Sequence, residues 1–136
     1  MTVRYRKVLV NGCFDPFHIG HLYHLQEARK HGDVLVVAVT RNGFVNKGKN
    51  RPMFDQIDRA AVMRALAIVD DVILVDSSIE ALCMVTPKVW AIGQDYYSRV
   101  RQEDATYCRQ HHIEIIYTNR PIYSSTAICE QLRERV

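Results

Sequence analysis

"KVLVNGCFDPFHIGHLYHLQEARKHGDVLVVAVT", Lys7 to Thr40, carries the pattern that decides the fold. It holds two β-branched runs, Lys7–Asn11 and Val34–Thr40, on either side of a helical stretch. Both runs are apolar almost throughout rather than alternating. A strand of that kind needs cover on both faces, which a parallel sheet with helices on each side provides. The helical stretch "LYHLQEARKH" runs into Gly32, which reads as the residue just past a helix end. The unit is therefore β-α-β.

The same alternation continues outward. Further strands are expected at Asp71–Asp76, Lys88–Ile92 and Ile113–Thr118. Helices are expected over "DQIDRAAVMRALAIV", with Asp55 as its N-cap, and over "SIEALCMV", which precedes Pro87. Two more are expected over "SRVRQEDATYCRQHH" and "SSTAICEQLRERV", the last capped by Ser124 or Ser125. The order predicts an α/β fold: a single doubly wound (Rossmann-like) domain, residues 1–136, with a five-stranded parallel sheet. The longest loop, Arg41 to about Phe54, is rich in Gly, Asn and Lys and follows a strand on the carboxyl side of the sheet. That is where an active-site cover sits.

Composition narrows the class. The chain has 136 residues, 48 % hydrophobic and 24 % charged, as in ordinary globular domains. No apolar run approaches the ~20 residues that span a bilayer, and the first residues lack the apolar core of a signal peptide. The expectation is a cytoplasmic protein with no membrane partner. Cys13, Cys83, Cys108 and Cys129 form no C-x-x-C pair and read as free thiols. A net charge of +3 is too mild to argue for nucleic acid, but it suits small anions in one pocket.

The topology puts Gly12 to His21 at the carboxyl end of the first strand, the ligand-binding edge of an open parallel sheet. Gly12 lets backbone approach a ligand closely. The next helix offers unpaired N–H groups and the positive end of its dipole. His18 and His21 share one face of its first turn, and Gly20 between them removes bulk. His18, His21 and His24 invite three readings: a metal site, a phosphate site or a surface accident. A zinc site could draw on Cys13 and Asp15 but lacks a further well-spaced set, so no metal ligands are assigned. His24 drifts off the face of His18 and reads as a surface residue. His111 and His112 end a solvated helix. Asp70 and Asp71 mark a strand entry or subunit contact, and Trp90 belongs to the core.

"GCFDPFHIGH" resembles the first signature of the H-x-G-H nucleotidyltransferase (cytidylyltransferase-like) superfamily. "ARKHGDVLVVAVTRN", "KGKNRPMFDQIDR", "ALAIVDDVI", "GQDY" and "SSTAI" follow in the family's order, so the likeness covers Lys7 to Ile128. "RPMFDQIDR" and "SSTAI" are similar to the heptose 1-phosphate adenylyltransferase domain. The stand-alone length is similar to glycerol-3-phosphate cytidylyltransferase.

The resemblance implies direct transfer of AMP or CMP. The phosphate of a sugar or polyol phosphate attacks the α-phosphorus of ATP or CTP, and pyrophosphate leaves. It implies His18, His21, Lys47 and Arg59 as catalytic residues, with Lys49 competing for the role of Lys47. An imidazole titrating near ~6.5 could be held protonated by a nearby phosphate. The nucleotide would be bound by Gly12, Cys13, Phe14, Gly20, Gly93, Asp95, Tyr96, Ser124, Ser125 and Thr126. Mg²⁺ would arrive on the triphosphate, and a homodimer is implied. "NRPIY" and Gln94 depart from the family's pattern near the nucleotide and substrate pockets. They leave open the base, the acceptor and a non-catalytic nucleotide-binding regulatory module.

Overall fold

Five parallel strands in the order β3-β2-β1-β4-β5 form the sheet of the computed structural model, which describes residues 5–93, 100–119 and 125–134. In chain order the elements are β1 (Lys7–Gly12), α1 (Ile19–Arg29), β2 (Val34–Thr40), α2 (Gln56–Arg64), β3 (Asp71–Val75), α3 (Ser78–Val85), β4 (Val89–Gly93), α4 (Gln102–Gln110), β5 (Glu114–Thr118) and α5 (Ser125–Glu134). A 3₁₀ turn, Asn42–Phe44, follows β2. The expected doubly wound α/β architecture is the one observed.

The unbroken apolar runs are explained by two cores. Val8, Val10, Leu35, Val37 and Val39 pack with Leu25 and Ala28 of α1 and Ala60 and Met63 of α2. Leu9, Val36, Ala38, Trp90 and Ile92 point the other way, onto Ala81, Leu82 and Val85 of α3 and Cys108 of α4. Successive strand residues thus enter opposite cores. Trp90 is buried, as expected, and its indole N–H donates to Asn11 Oδ1 at 2.9 Å.

Three local expectations are corrected or sharpened. Gly32 is not the residue just past the helix end: α1 closes at its cap Lys30 in right-handed geometry, which makes His31 that residue. A Cβ at Gly32 would lie 2.4 Å from the Arg6 carbonyl oxygen, so close backbone approach is what requires glycine there. α2 begins at its Asp55 cap but stops at Arg64, because the following turn delivers the Asp70 N–H to the Leu35 carbonyl. Asp70 itself marks the strand entry: its carboxylate accepts from the Leu35 N–H and pairs with Arg29 at 2.8 Å.

The switch point lies between β1 and β4, whose neighbours run outward in opposite directions. Ligands of open parallel sheets bind at the carboxyl edge there. The first loop, Cys13–His18, emerges at that edge.

Candidate active site

The first turn of α1 is built by its own histidines. His18 is the N-cap, and its Nδ1 accepts from the Gly20 N–H at 3.1 Å. His21 reaches back, and its Nδ1 accepts from the His18 N–H at 3.1 Å. This is a reciprocal capping box made of two imidazoles. The rings stack with centroids 3.7 Å apart and planes at 24°. Because each Nδ1 accepts, each ring must carry its proton on Nε2.

Both rings are held neutral. Burial lowers the pKa of His18, helped by the charge of Lys47. Burial pushes His21 down to about 3, helped by His18, His24 and Lys47. Protonating either Nδ1 would also break the cap. Protonation by a nearby phosphate, the expectation from the sequence, would therefore have to overcome both burial and the cap. Lys47 is the lysine whose charge bears on both rings. Lys49 is exposed.

Phe14 packs edge-on against His21, with centroids 5.0 Å apart. Its ring also fills the space over Gly12, where a Cβ would meet it at 3.1 Å. The missing side chain at Gly12 thus makes room for the Phe14 ring. Phe14 has φ 51°, which keeps the first loop turned tightly under the histidines.

His24 is not a surface residue. It is half-buried, and its Nδ1 lies 2.7 Å from Thr118 Oγ1 at the end of β5. This contact ties α1 to the far side of the sheet.

Arg59 does not stand on the surface of α2 either; it is 2 % exposed. Its guanidinium donates to the Phe54 carbonyl (2.8 Å), the Cys13 carbonyl (2.8 Å) and Asn42 Oδ1 (2.9 Å). The guanidinium that sequence reasoning assigned to phosphate or substrate thus joins the first loop to the Arg41–Phe54 loop.

The pair that sequence reasoning missed is Asp15 with Arg51. Their side chains are 0 % and 4 % exposed, and Arg51 Nε donates to Asp15 Oδ2 at 2.9 Å. Asp15 also accepts from the N–H groups of Met53 (2.7 Å) and Phe54 (2.9 Å). Burial alone would raise its pKa. The Met53 N–H, the Arg51 guanidinium and the Phe54 N–H outweigh that and hold the carboxyl below its usual range. Arg51 further donates to the Asp15 carbonyl and, at 3.3 Å, to Thr126 Oγ1. The loop read as a cover is therefore fastened at its carboxyl end. The one sequence signal was an aspartate set between Phe14 and Pro16, with Arg51 likewise before a proline.

Ser125 lies inside α5, and its hydroxyl donates to the Pro16 carbonyl at 2.9 Å. With Thr126 on Arg51, this brings the start of α5 against the first loop. Gly93 ends β4, paired with Thr118. Asp95, Tyr96 and Ser124, together with Gln94 and Arg120, lie outside the described residues. The structure thus gathers His18, His21, Lys47, Cys13, Phe14, Gly20, Ser125 and Thr126 around one edge of the sheet. Among the described residues no three His, Cys, Asp or Glu side chains converge on a metal position.

The cytidylyltransferase-like family model matches residues 9–132. The chain belongs to the cytidylyltransferase-like family. It is 41 % identical over 95 residues to a bifunctional protein HldE of a Nitratiruptor species, covering 67 % of this chain and 21 % of that one. It is 43 % identical over 95 residues to the HldE of Methylobacillus flagellatus, covering 67 % of this chain and 20 % of that protein. The chain thus spans about a fifth of these curated relatives. Among solved structures it is similar to a lipopolysaccharide core biosynthesis protein from Thermoplasma volcanium. That likeness has a TM-score of 0.75 and 26 % identity, over 88 % of this chain and 100 % of that one. A Thermotoga maritima TmcAL bound with alpha-thio ATP shares the fold, at TM-score 0.67 and 17 % identity, over 96 % of this chain and 51 % of that one. No helix among the described residues is long and apolar enough to cross a membrane.

Proposed function

We propose that this protein is a nucleotidyltransferase that moves AMP, or alternatively CMP, from a nucleoside triphosphate to a phosphorylated small metabolite such as a sugar or polyol phosphate. An oxygen of the acceptor's phosphate attacks the α-phosphorus, the bond to the β-phosphate oxygen breaks, and pyrophosphate leaves. The acceptor phosphate is already a nucleophile, so the protein's task is positioning and charge stabilisation.

The observation that carries this reading is the stacked imidazole pair. The capping box fixes both rings as neutral Nε2–H donors beside Lys47. Such donors, held before the reaction, stabilise charge developing on phosphate oxygens without reorganising. The N–H groups at the start of α5, with Ser125 and Thr126, receive the departing phosphates. Arg59 acts through the loops that it joins. The donor set is N–H and ammonium rather than carboxylate, which fits a Mg²⁺ ion carried by triphosphate oxygens; Mg²⁺ would offset their charge.

AMP is favoured over CMP because the HldE relatives share about 40 % identity with this chain and the sequence resembles the adenylyltransferase domain. The test is pyrophosphate release with ATP or CTP and a panel of sugar and polyol phosphates. Release with ATP and an acceptor supports the proposal. Nucleotide binding without release on any acceptor supports the regulatory-module reading instead. The implied homodimer is tested by light scattering.

A further inference from the structure

We infer that the polyhydroxylated body of the acceptor binds in the cleft between the carboxyl end of β1 and the turn from β3 into α3, with Asp76 and Arg101 reading its hydroxyls. This rests on the transferase reading above. The cleft has a volume of about 420 Å³ and is lined by Asn11, Phe44, Asp76, Ser77, Ser78 and Arg101. That is within the size range of small-molecule sites.

Its place in the fold suits a second reactant. Gly93 and Thr118 belong to the β4–β5 side of the switch point, and the start of α5 sits against Pro16 and Arg51, whereas the cleft lies toward β3. The first loop and its histidines follow β1, between the two. An acceptor seated on the β3 side can bring its phosphate to the first loop and its histidines, which follow β1.

The lining chemistry selects the class of acceptor. Asn11 Oδ1 is taken by the Trp90 indole N–H, which fixes the amide and turns its NH₂ away from the indole as a donor. Asp76 is oriented by Arg41 Nη1 at 2.7 Å and retains acceptor capacity. The Ser78 hydroxyl donates its proton to the buried carboxylate of Asp104 at 2.6 Å, so its oxygen is left to accept. Ser77 is set by its bond from the Glu80 N–H. Arg101 brings a guanidinium from the start of α4, with Glu103 at a loose 3.8 Å. Asp76, Ser77 and Ser78 are acceptors held in place before binding, with Asn11 and Arg101 as donors beside them, a set that suits several hydroxyl groups. Phe44 can cover the apolar face of a sugar ring. A long aliphatic acceptor would meet a single hydrophobic side chain, Phe44, among polar and charged ones. A trimethylammonium acceptor would need an aromatic cage, and here a single aromatic ring shares the cleft with a guanidinium.

The experiment is amide and side-chain mapping by ¹⁵N NMR on the full chain, first with α,β-methylene-ATP and Mg²⁺. D-mannose 1-phosphate, sn-glycerol 3-phosphate and phosphocholine are then added in separate titrations. Mannose 1-phosphate or glycerol 3-phosphate should shift the Asn11 side-chain amide and the Ser77 and Ser78 backbone, and phosphocholine should not. Arg101→Gln, at a side chain 70 % exposed, should weaken that binding about tenfold and leave nucleotide affinity within twofold. Unchanged acceptor affinity in Arg101→Gln, shifts confined to residues outside the cleft, no response to either polyol phosphate, or phosphocholine binding in the cleft would each overturn the inference. Failure of the nucleotide to bind would instead count against the transferase reading, and the polyol phosphate titrations would still judge the cleft.

Discussion

Replacing Asp15 with Ala should cost about 3–5 kcal/mol of stability, the usual penalty for removing one partner of a buried ion pair. The substitution strips the guanidinium of Arg51, whose side chain is 4 % exposed, of its counter-charge, and it leaves the Met53 and Phe54 N–H groups without their acceptor. Domains of this size have total stabilities of about 5–15 kcal/mol, so this is a large share. Asp15→Asn keeps the shape and one oxygen but loses the charge; hydrogen bonds to a charged group contribute about 1.5–3 kcal/mol each, so its cost should fall below that of Ala. The double variant Asp15→Ala/Arg51→Met removes both charges together. Its loss should therefore be smaller than the sum of the single losses, with a coupling of about 2 kcal/mol, within the range for residues in direct contact. Urea unfolding at pH 7, followed by Trp90 fluorescence, measures the wild type, the single variants and the double variant. A loss under about 1 kcal/mol for Asp15→Ala, or strict additivity, would refute the claim that this pair fastens the loop.

Other consequences follow from the same contacts. His21, depressed to about 3 from a usual 6.5, binds fewer protons in the folded state. Its contribution is therefore complete above pH 6.5 and is lost as pH falls toward 3, by at most about 1.4 kcal/mol per pH unit. A stability profile that stays flat from about pH 6.5 to about 4.5, above the carboxylate range, would contradict this. Gly32→Ala, whose Cβ would sit 2.4 Å from the Arg6 carbonyl oxygen, should lose about 1–3 kcal/mol through overpacking; a neutral result in thermal unfolding would show that the Arg6 strand entry can give way. Burial and the Asp104 carboxylate push the Cys108 thiol up to about 11, while Cys83 is exposed. A thiol reagent at about pH 8 should therefore label Cys83 first and Cys108 only on unfolding, as mass spectrometry would show.

The strands were legible because each is covered on both faces, so hydrophobicity alone marked them. The Asp55 cap was legible because aspartate at that place has one local job. The true start of α1 was not, because its cap is a histidine and its capping box uses a second one in place of the usual Ser and Glu. The reading of Gly32 failed for a different reason: its neighbour in space, Arg6, is distant in sequence. Asp15–Arg51 and the Arg59 junction escaped notice likewise. Their partners lie 36 and 46 positions apart, and a loop arginine looks the same in sequence whether it meets phosphate or a carbonyl. The nearness of His18 and His21 was legible from helical spacing; their neutrality was not, since it depends on burial and on which nitrogen the cap engages.

The central claim is that the two capped imidazoles drive nucleotidyl transfer, and the most direct test keeps the cap while removing the imidazoles. His18→Asn and His21→Gln preserve an N-cap acceptor and a capping-box partner, so both proteins should fold. Pyrophosphate release from ATP·Mg²⁺ with the best acceptor should fall about a hundredfold or more in each, with the thermal midpoint little changed. Release at the wild-type rate in either folded variant would contradict the account.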